Sequence, residues 1–155
     1  LGRGEEVIPV ELPWRGWVLL VKPPFGVATG WAYGRLAERR QEGAERAATC
    51  EEGMLKELEW GKWLWRNDLE DAVFEKFLIL RDLKEWLSGR AGVEAVMLAG
   101  SGSTVAAFSR EKGALFTIVE ELEREFGRVW GPAAGGMACL DGEMGFWVAV
   151  TELFG

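Results

Sequence analysis

Val93-Glu94-Ala95-Val96-Met97-Leu98-Ala99-Gly100-Ser101-Gly102-Ser103-Thr104-Val105-Ala106-Ala107-Phe108-Ser109 is the stretch on which the fold turns. Val93, Ala95, Val96, Met97 and Leu98 make a short apolar strand, and residues 105–108 make a second. The glycines and hydroxyl residues between them read as a turn. Ser109 is placed to cap a helix in which Leu115, Ile118, Val119, Leu122 and Phe126 share one face, with Gly127 as its stop. Two strands joined by a tight turn and followed by an amphipathic helix predict an antiparallel sheet covered by helices.

Working outward, residues 128–130 and 146–153 read as strands, separated by Pro132, Gly135, Gly136 and the Asp141-Gly142 turn signal. Upstream, Trp17-Val18-Leu19-Leu20-Val21 is a near-continuous apolar run closed by Pro23 and Pro24, which fits a buried strand. Thr29 then serves as N-cap of a helix running from Gly30 towards Gln41, with Trp31, Ala32, Leu36 and Ala37 at helical spacing. Residues 38–53 turn to Glu, Arg and Ala and predict a mobile, solvated connection. Met54, Leu55 and Leu58 suggest a short helix. Asn67 followed by Glu70 reads as a capping box, opening a helix whose apolar face is Val73, Phe77, Leu80, Leu83 and Leu87. An interruption is expected near residues 77–79 and an end between Gly89 and Gly92.

The order is strand, helices, strand, strand, helix, strand. That is the α+β, ferredoxin-like split βαβ sandwich, with extra helices after the first strand. The 155 residues, 48% hydrophobic, suit a single domain spanning 1–155 with a full-sized core.

Composition narrows function. Eighteen Lys and Arg against 25 Asp and Glu give a net charge of -7, whose field repels nucleic-acid backbones and anionic membrane surfaces. With no His, the usual general bases, nucleophile pairs and zinc sites are excluded. Cys50 and Cys139 are too few and too far apart for a disulfide framework or a metal site, which indicates a reducing, cytoplasmic setting. There is no apolar run long enough to span a membrane. The sequence opens with Leu1 and not Met, which suggests a piece of a longer polypeptide.

Several groups of residues could carry chemistry. Gly100 to Thr104 either gathers backbone N–H groups into an anion nest or is an ordinary glycine-rich hairpin; with no Lys after its last glycine it is not a Walker A loop. Asp68, Glu70 and Asp71 could hold a hard cation or act as a base, but helix capping and the helix dipole explain them better, so no metal site is assigned. Of nine tryptophans, Trp60, Trp63 and Trp65 could stack a base or sugar, and covering an interface with a missing half is favoured.

Four pieces in order carry a family resemblance: Gly2-Arg3-Gly4-Glu5; Val18-Leu19-Leu20-Val21-Lys22-Pro23 with Val27-Ala28-Thr29-Gly30-Trp31-Ala32-Tyr33; Asn67-Asp68-Leu69-Glu70; and Leu98-Ala99-Gly100-Ser101-Gly102-Ser103-Thr104. Together they resemble the C-terminal half of the GHMP kinase superfamily, and within it the 4-diphosphocytidyl-2-C-methyl-D-erythritol kinase family of non-mevalonate isoprenoid (terpenoid) biosynthesis. The resemblance implies a parent enzyme that moves the γ-phosphoryl group of ATP, with Mg²⁺, to a hydroxyl of the methylerythritol part of a cytidine diphosphate conjugate. It implies a phosphate-proximal role for Gly100, Ser101, Gly102, Ser103 and Thr104. It also implies a substrate pocket lined by the Thr29 hydroxyl and the Tyr33 ring, and a structural role for Asn67 and Asp68. The family's Pro-x-x-x-Gly-Leu-Gly-Ser-Ser segment is absent from these 155 residues. The ATP-binding N-terminal domain with its catalytic Lys and Asp is therefore an implied partner, no catalytic residue is assigned here, and the chain is expected to be inactive alone. Ala99 stands where family members usually carry Ser. The alternatives are a sister GHMP kinase acting on another alcohol, and a free-standing ferredoxin-like module that binds a small ligand without catalysis.

Overall fold

Strand β1, Gly16–Lys22, is the spine of the sheet, because it pairs along its length with a strand on either side. A computed structural model describes residues 14–41, 67–130, 134–135 and 146–153. After β1 come α1 (Thr29–Gln41), α2 (Glu70–Lys76) and α3 (Leu78–Ser88), then β2 (Ala95–Leu98), β3 (Val105–Ser109), α4 (Lys112–Trp130), the two-residue β4 (Ala134–Gly135) and β5 (Trp147–Leu153). The sheet order is β2-β3-β1-β5-β4. Its first four strands are antiparallel and β4 runs parallel to β5. The expected α+β class with an antiparallel sheet is the class observed.

Alternation along the strands sorts side chains between the two faces. Leu19, Val21, Val96, Leu98, Val105, Ala107 and Val148 meet Leu80, Leu83, Leu87, Leu115, Ile118, Leu122 and Phe126 of the helices in the main core. On the opposite face Val18, Ala106 and Phe108 cluster with Trp14, whose ring stands edge-on to Phe108 at 5.9 Å. All five residues of β3 are buried, since it is covered on both faces and flanked by β2 and β1.

The helices depart from the sequence reading in instructive ways. The expected interruption is real: Phe77 leaves helical geometry at φ -106 and ψ 67 and separates α2 from α3. Its ring stacks on Phe25 at 5.8 Å and meets Trp31 edge-on at 5.6 Å, so it ties the helix break to the segment between β1 and α1 and to the first turn of α1. Residues 128–130, expected as a strand, are the last turn of α4. Gly127 stops a helix only by turning left-handed, and the described glycines with positive φ are Gly92, Gly100 and Gly102, so the helix runs through it. Ser109 does not cap α4 directly. It ends β3, and its Oγ accepts the Glu111 N–H at 2.9 Å, forming the turn before Lys112. Thr29 is already helical, with the first bond running from Ala32 N–H to Ala28 O at 3.1 Å, and this releases its hydroxyl for another partner. The expected short helix at Met54 to Leu58, the tryptophans Trp60, Trp63 and Trp65, both cysteines, the Asp141-Gly142 turn and the residues 42–53 lie outside the described residues.

Leu80 is fully buried while Leu78, two residues earlier on α3, is 51% exposed. Leu80→Ala is expected to lower stability by about 2–5 kcal/mol and Leu78→Ala by well under about 1 kcal/mol. Urea denaturation of the two variants checks the difference, and equal losses would mean that α3 presents another face to the sheet.

Candidate functional site

The glycine-rich connection between β2 and β3 is closed by two backbone bonds: Ala99 N–H donates to Thr104 O at 2.8 Å, and Gly102 N–H to Ala99 O at 3.0 Å. The amides of Gly100, Ser101, Ser103 and Thr104 stand outside these two bonds. Gly100 and Gly102 have φ of 58° and 86°, and the Gly102–Ser103 peptide is cis. A Cβ on Gly102 would come 3.0 Å from Leu98 Cδ1, whereas one on Gly100 would point into open space. Both glycines are therefore required by backbone angle, and Gly102 by packing as well.

Three elements remote in sequence hold this loop. Ser103, almost fully buried, donates its hydroxyl to Phe25 O in the segment before α1. Thr29 and Ser101 share a hydroxyl–hydroxyl bond of 3.0 Å, so the start of α1 touches the loop. Tyr33, one turn along α1 from Thr29, is 58% exposed. The structure thus joins Thr29 to the Gly100 to Thr104 loop, and sets Tyr33 beside that junction on the surface.

The third element was not legible as part of the site. Asn67 and Glu70 do not form the expected capping box, because the helix starts only at Glu70, and a turn over residues 67–69 precedes it. Asn67 Nδ2 instead donates to Leu98 O at 2.7 Å and Gly100 O at 2.6 Å, while its Oδ1 accepts Leu69 N–H at 3.0 Å. Glu70 Oε1 accepts Leu98 N–H at 2.7 Å, and Oε2 is ion-paired with Lys84 of α3. Both side chains are spent on the exit of β2. An Asn-x-x-Glu spacing carries no sign of a partner some thirty residues away.

The other members of the acidic group are separately engaged or exposed. Asp68 pairs with Arg40 at 3.4 Å, and Asp71 faces solvent in the first turn of α2. Among the described residues no three His, Cys, Asp or Glu side chains gather to hold a metal ion, and no helix is long and apolar enough to cross a membrane.

Because φ is positive at both glycines, Gly100→Ala is expected to cost about 1–2 kcal/mol of stability, and Gly102→Ala more, since the Leu98 methyl must also move. Urea midpoints measure the order, and an equal or smaller loss at Gly102 would contradict the packing described.

Comparison with known proteins points to one family. Residues 54–129 match the family model described as GHMP kinases C terminal. Three similar relatives each bear the name 4-diphosphocytidyl-2-C-methyl-D-erythritol kinase. That of Methylacidiphilum infernorum is 35% identical over 117 residues, 74% of this chain and 38% of the relative. That of Nitratidesulfovibrio vulgaris is 33% identical over 132 residues, 83% of this chain and 46% of the relative. That of Geobacillus kaustophilus is 34% identical over 109 residues, 67% of this chain and 36% of the relative. The chain spans less than half the length of these relatives. The matched region contains the Asn67 to Glu70 turn, the glycine loop and all but the last residue of the α4 helix that follows it, and the chain therefore carries the C-terminal domain of the GHMP kinase family.

Proposed function

We propose that this chain is the substrate-side domain, of ferredoxin-like arrangement, of a cytoplasmic ATP-dependent kinase that phosphorylates 4-diphosphocytidyl-2-C-methyl-D-erythritol in isoprenoid biosynthesis. The observation that carries the reading is the Thr29–Ser101 bond, which joins the two segments the resemblance assigns to substrate and phosphate. The names of the relatives supply the substrate class. The strand order β2-β3-β1-β5 supports the arrangement.

Phosphoryl transfer asks a protein chiefly to position the reactants and to aim donors at spreading negative charge. The bond to be made joins the γ-phosphorus to the substrate hydroxyl oxygen, and the bond to be broken releases ADP. In this reading ATP and Mg²⁺ are held by an N-terminal kinase domain, which also supplies the Lys and Asp that act on the hydroxyl. The Gly100 to Thr104 loop lies at the boundary between the two domains and offers amides to the phosphates. Thr29 orients the methylerythritol part, and the exposed Tyr33 ring is available to cover it. A ligand carrying a diphosphate meets a net charge of -7 on this chain, so the attraction this domain itself contributes is local and dipolar.

The test joins the chain to the N-terminal part of the Methylacidiphilum infernorum relative and assays ATP-dependent phosphorylation of the conjugate. Activity in the fusion and none in the chain alone is expected. A well-folded fusion that phosphorylates other small alcohols but not the conjugate would overturn the substrate assignment, and one with no kinase activity would overturn the kinase reading. In the active fusion, Thr29→Val is expected to raise KM for the conjugate about tenfold through loss of a hydroxyl contact. An unchanged KM would remove Thr29 from the substrate site.

A further inference from the structure

We infer that Asn67 and Glu70 are positioning residues for the glycine loop, acting as a substitute strand on the free edge of the sheet at Leu98. β2 is an edge strand, with β3 on one side only. Along an antiparallel pair, successive residues turn their N–H and C=O alternately towards and away from the partner. Ala99 faces inward, bonding Thr104, so Leu98 faces outward. Its two polar groups are met by Glu70 Oε1 and Asn67 Nδ2, at 2.7 Å each, as a neighbouring strand would meet them. Asn67 continues to Gly100 O, and so fixes the first left-handed residue of the loop as well as the last residue of the strand. Glu70 is anchored in turn by Lys84, with the carboxylate only 13% exposed. These two side chains set the direction in which the loop leaves the sheet, while the Ser103 and Ser101 contacts hold its far side. The catalytic part of the inference rests on the kinase reading proposed above; the structural part does not.

Asn67→Asp separates this role from helix capping. At an N-cap, Asp serves as well as Asn and better than Ala. Here an acceptor-only carboxylate would face two carbonyl oxygens at 2.7 and 2.6 Å, so Asp must be worse than Ala. Glu70→Gln keeps an acceptor for Leu98 N–H, and Glu70→Ala does not.

Two readouts test the inference. In the chain itself, amide hydrogen exchange is expected to quicken at the bonded amides of Leu98, Ala99 and Gly102 by about tenfold or more in Asn67→Asp, less in Asn67→Ala, and little at the α4 amides. Glu70→Ala should expose the Leu98 amide, and Glu70→Gln should largely restore it. Ala worse than Asp, or exchange unchanged at Leu98 in Glu70→Ala, overturns the inference. If Asn67→Asp does not fold, the Glu70 pair decides alone. In the active fusion, Asn67→Ala is expected to lower kcat about tenfold to a hundredfold while KM for the conjugate changes less than about threefold, since the loop amides act on charge that develops in transfer. A change confined to KM would overturn the positioning role. A fusion lacking any kinase activity would overturn the function proposed above and leave the exchange result standing.

Discussion

An edge strand exposes a row of donors and acceptors that must be bonded by something, and at Leu98 that requirement governs the whole loop end of the domain. Leu98 is fully buried as a side chain, so its backbone cannot simply be left to water. The polypeptide answers with Asn67 and Glu70 from the turn before α2. Because Glu70 is also joined to Lys84, α2, α3 and β2 are fastened at one point. Removing any one of these groups leaves another polar group with no partner, which is costlier than the bond itself is worth.

The loop inherits its shape from that fastening on one side and from β3 on the other. β3 is buried throughout and paired on both edges, so Val105 is a fixed starting point. Between the fixed ends of β2 and β3 the chain must reverse in six residues, and left-handed angles at Gly100 and Gly102 accomplish it. Ser103 then reaches Phe25 O and Ser101 reaches Thr29, and both contacts lie in the segment that leaves β1. The aromatic stack of Phe25 on Phe77 reinforces the same junction, since Phe77 is the residue at which the helix breaks. The helix break, the glycine turn and the start of α1 are thus one packed unit.

Features with a local cause were legible in the sequence. The strands around the glycines, the helix stripe of Leu115 to Phe126 and the break near Phe77 follow from apolar spacing and turn chemistry, and they are where periodicity puts them. Sequence and structure part where one residue type serves two purposes. Gly127 reads as a stop because glycine often ends helices, yet its backbone angle is not left-handed and the helix continues through it. Asn67 and Glu70 read as a cap because short polar side chains usually bond nearby backbone, yet their main partners lie about thirty residues away. Thr29 was expected to cap as well as to meet substrate, and its hydroxyl bonds the glycine loop. Such long-range pairings exist only once the sheet has formed, so no window of sequence contains them.

On the function proposed above, an acidic chain that handles a phosphorylated ligand also needs its attraction to be short-ranged. With a net charge of -7, the field at a distance is repulsive to an anion, and salt screens it beyond roughly 8–10 Å. What this domain itself adds is a few amide dipoles at contact distance, and dipoles lose their effect quickly when misdirected. A loop with a basic side chain tolerates error, because a flexible charge can follow its ligand. Gly100 to Thr104 has none, so its amides work only when the backbone is held in one direction. This is a physical reason for bonding both polar groups of Leu98 and the carbonyl of Gly100 to rigid elements, where solvation would have been the simpler solution.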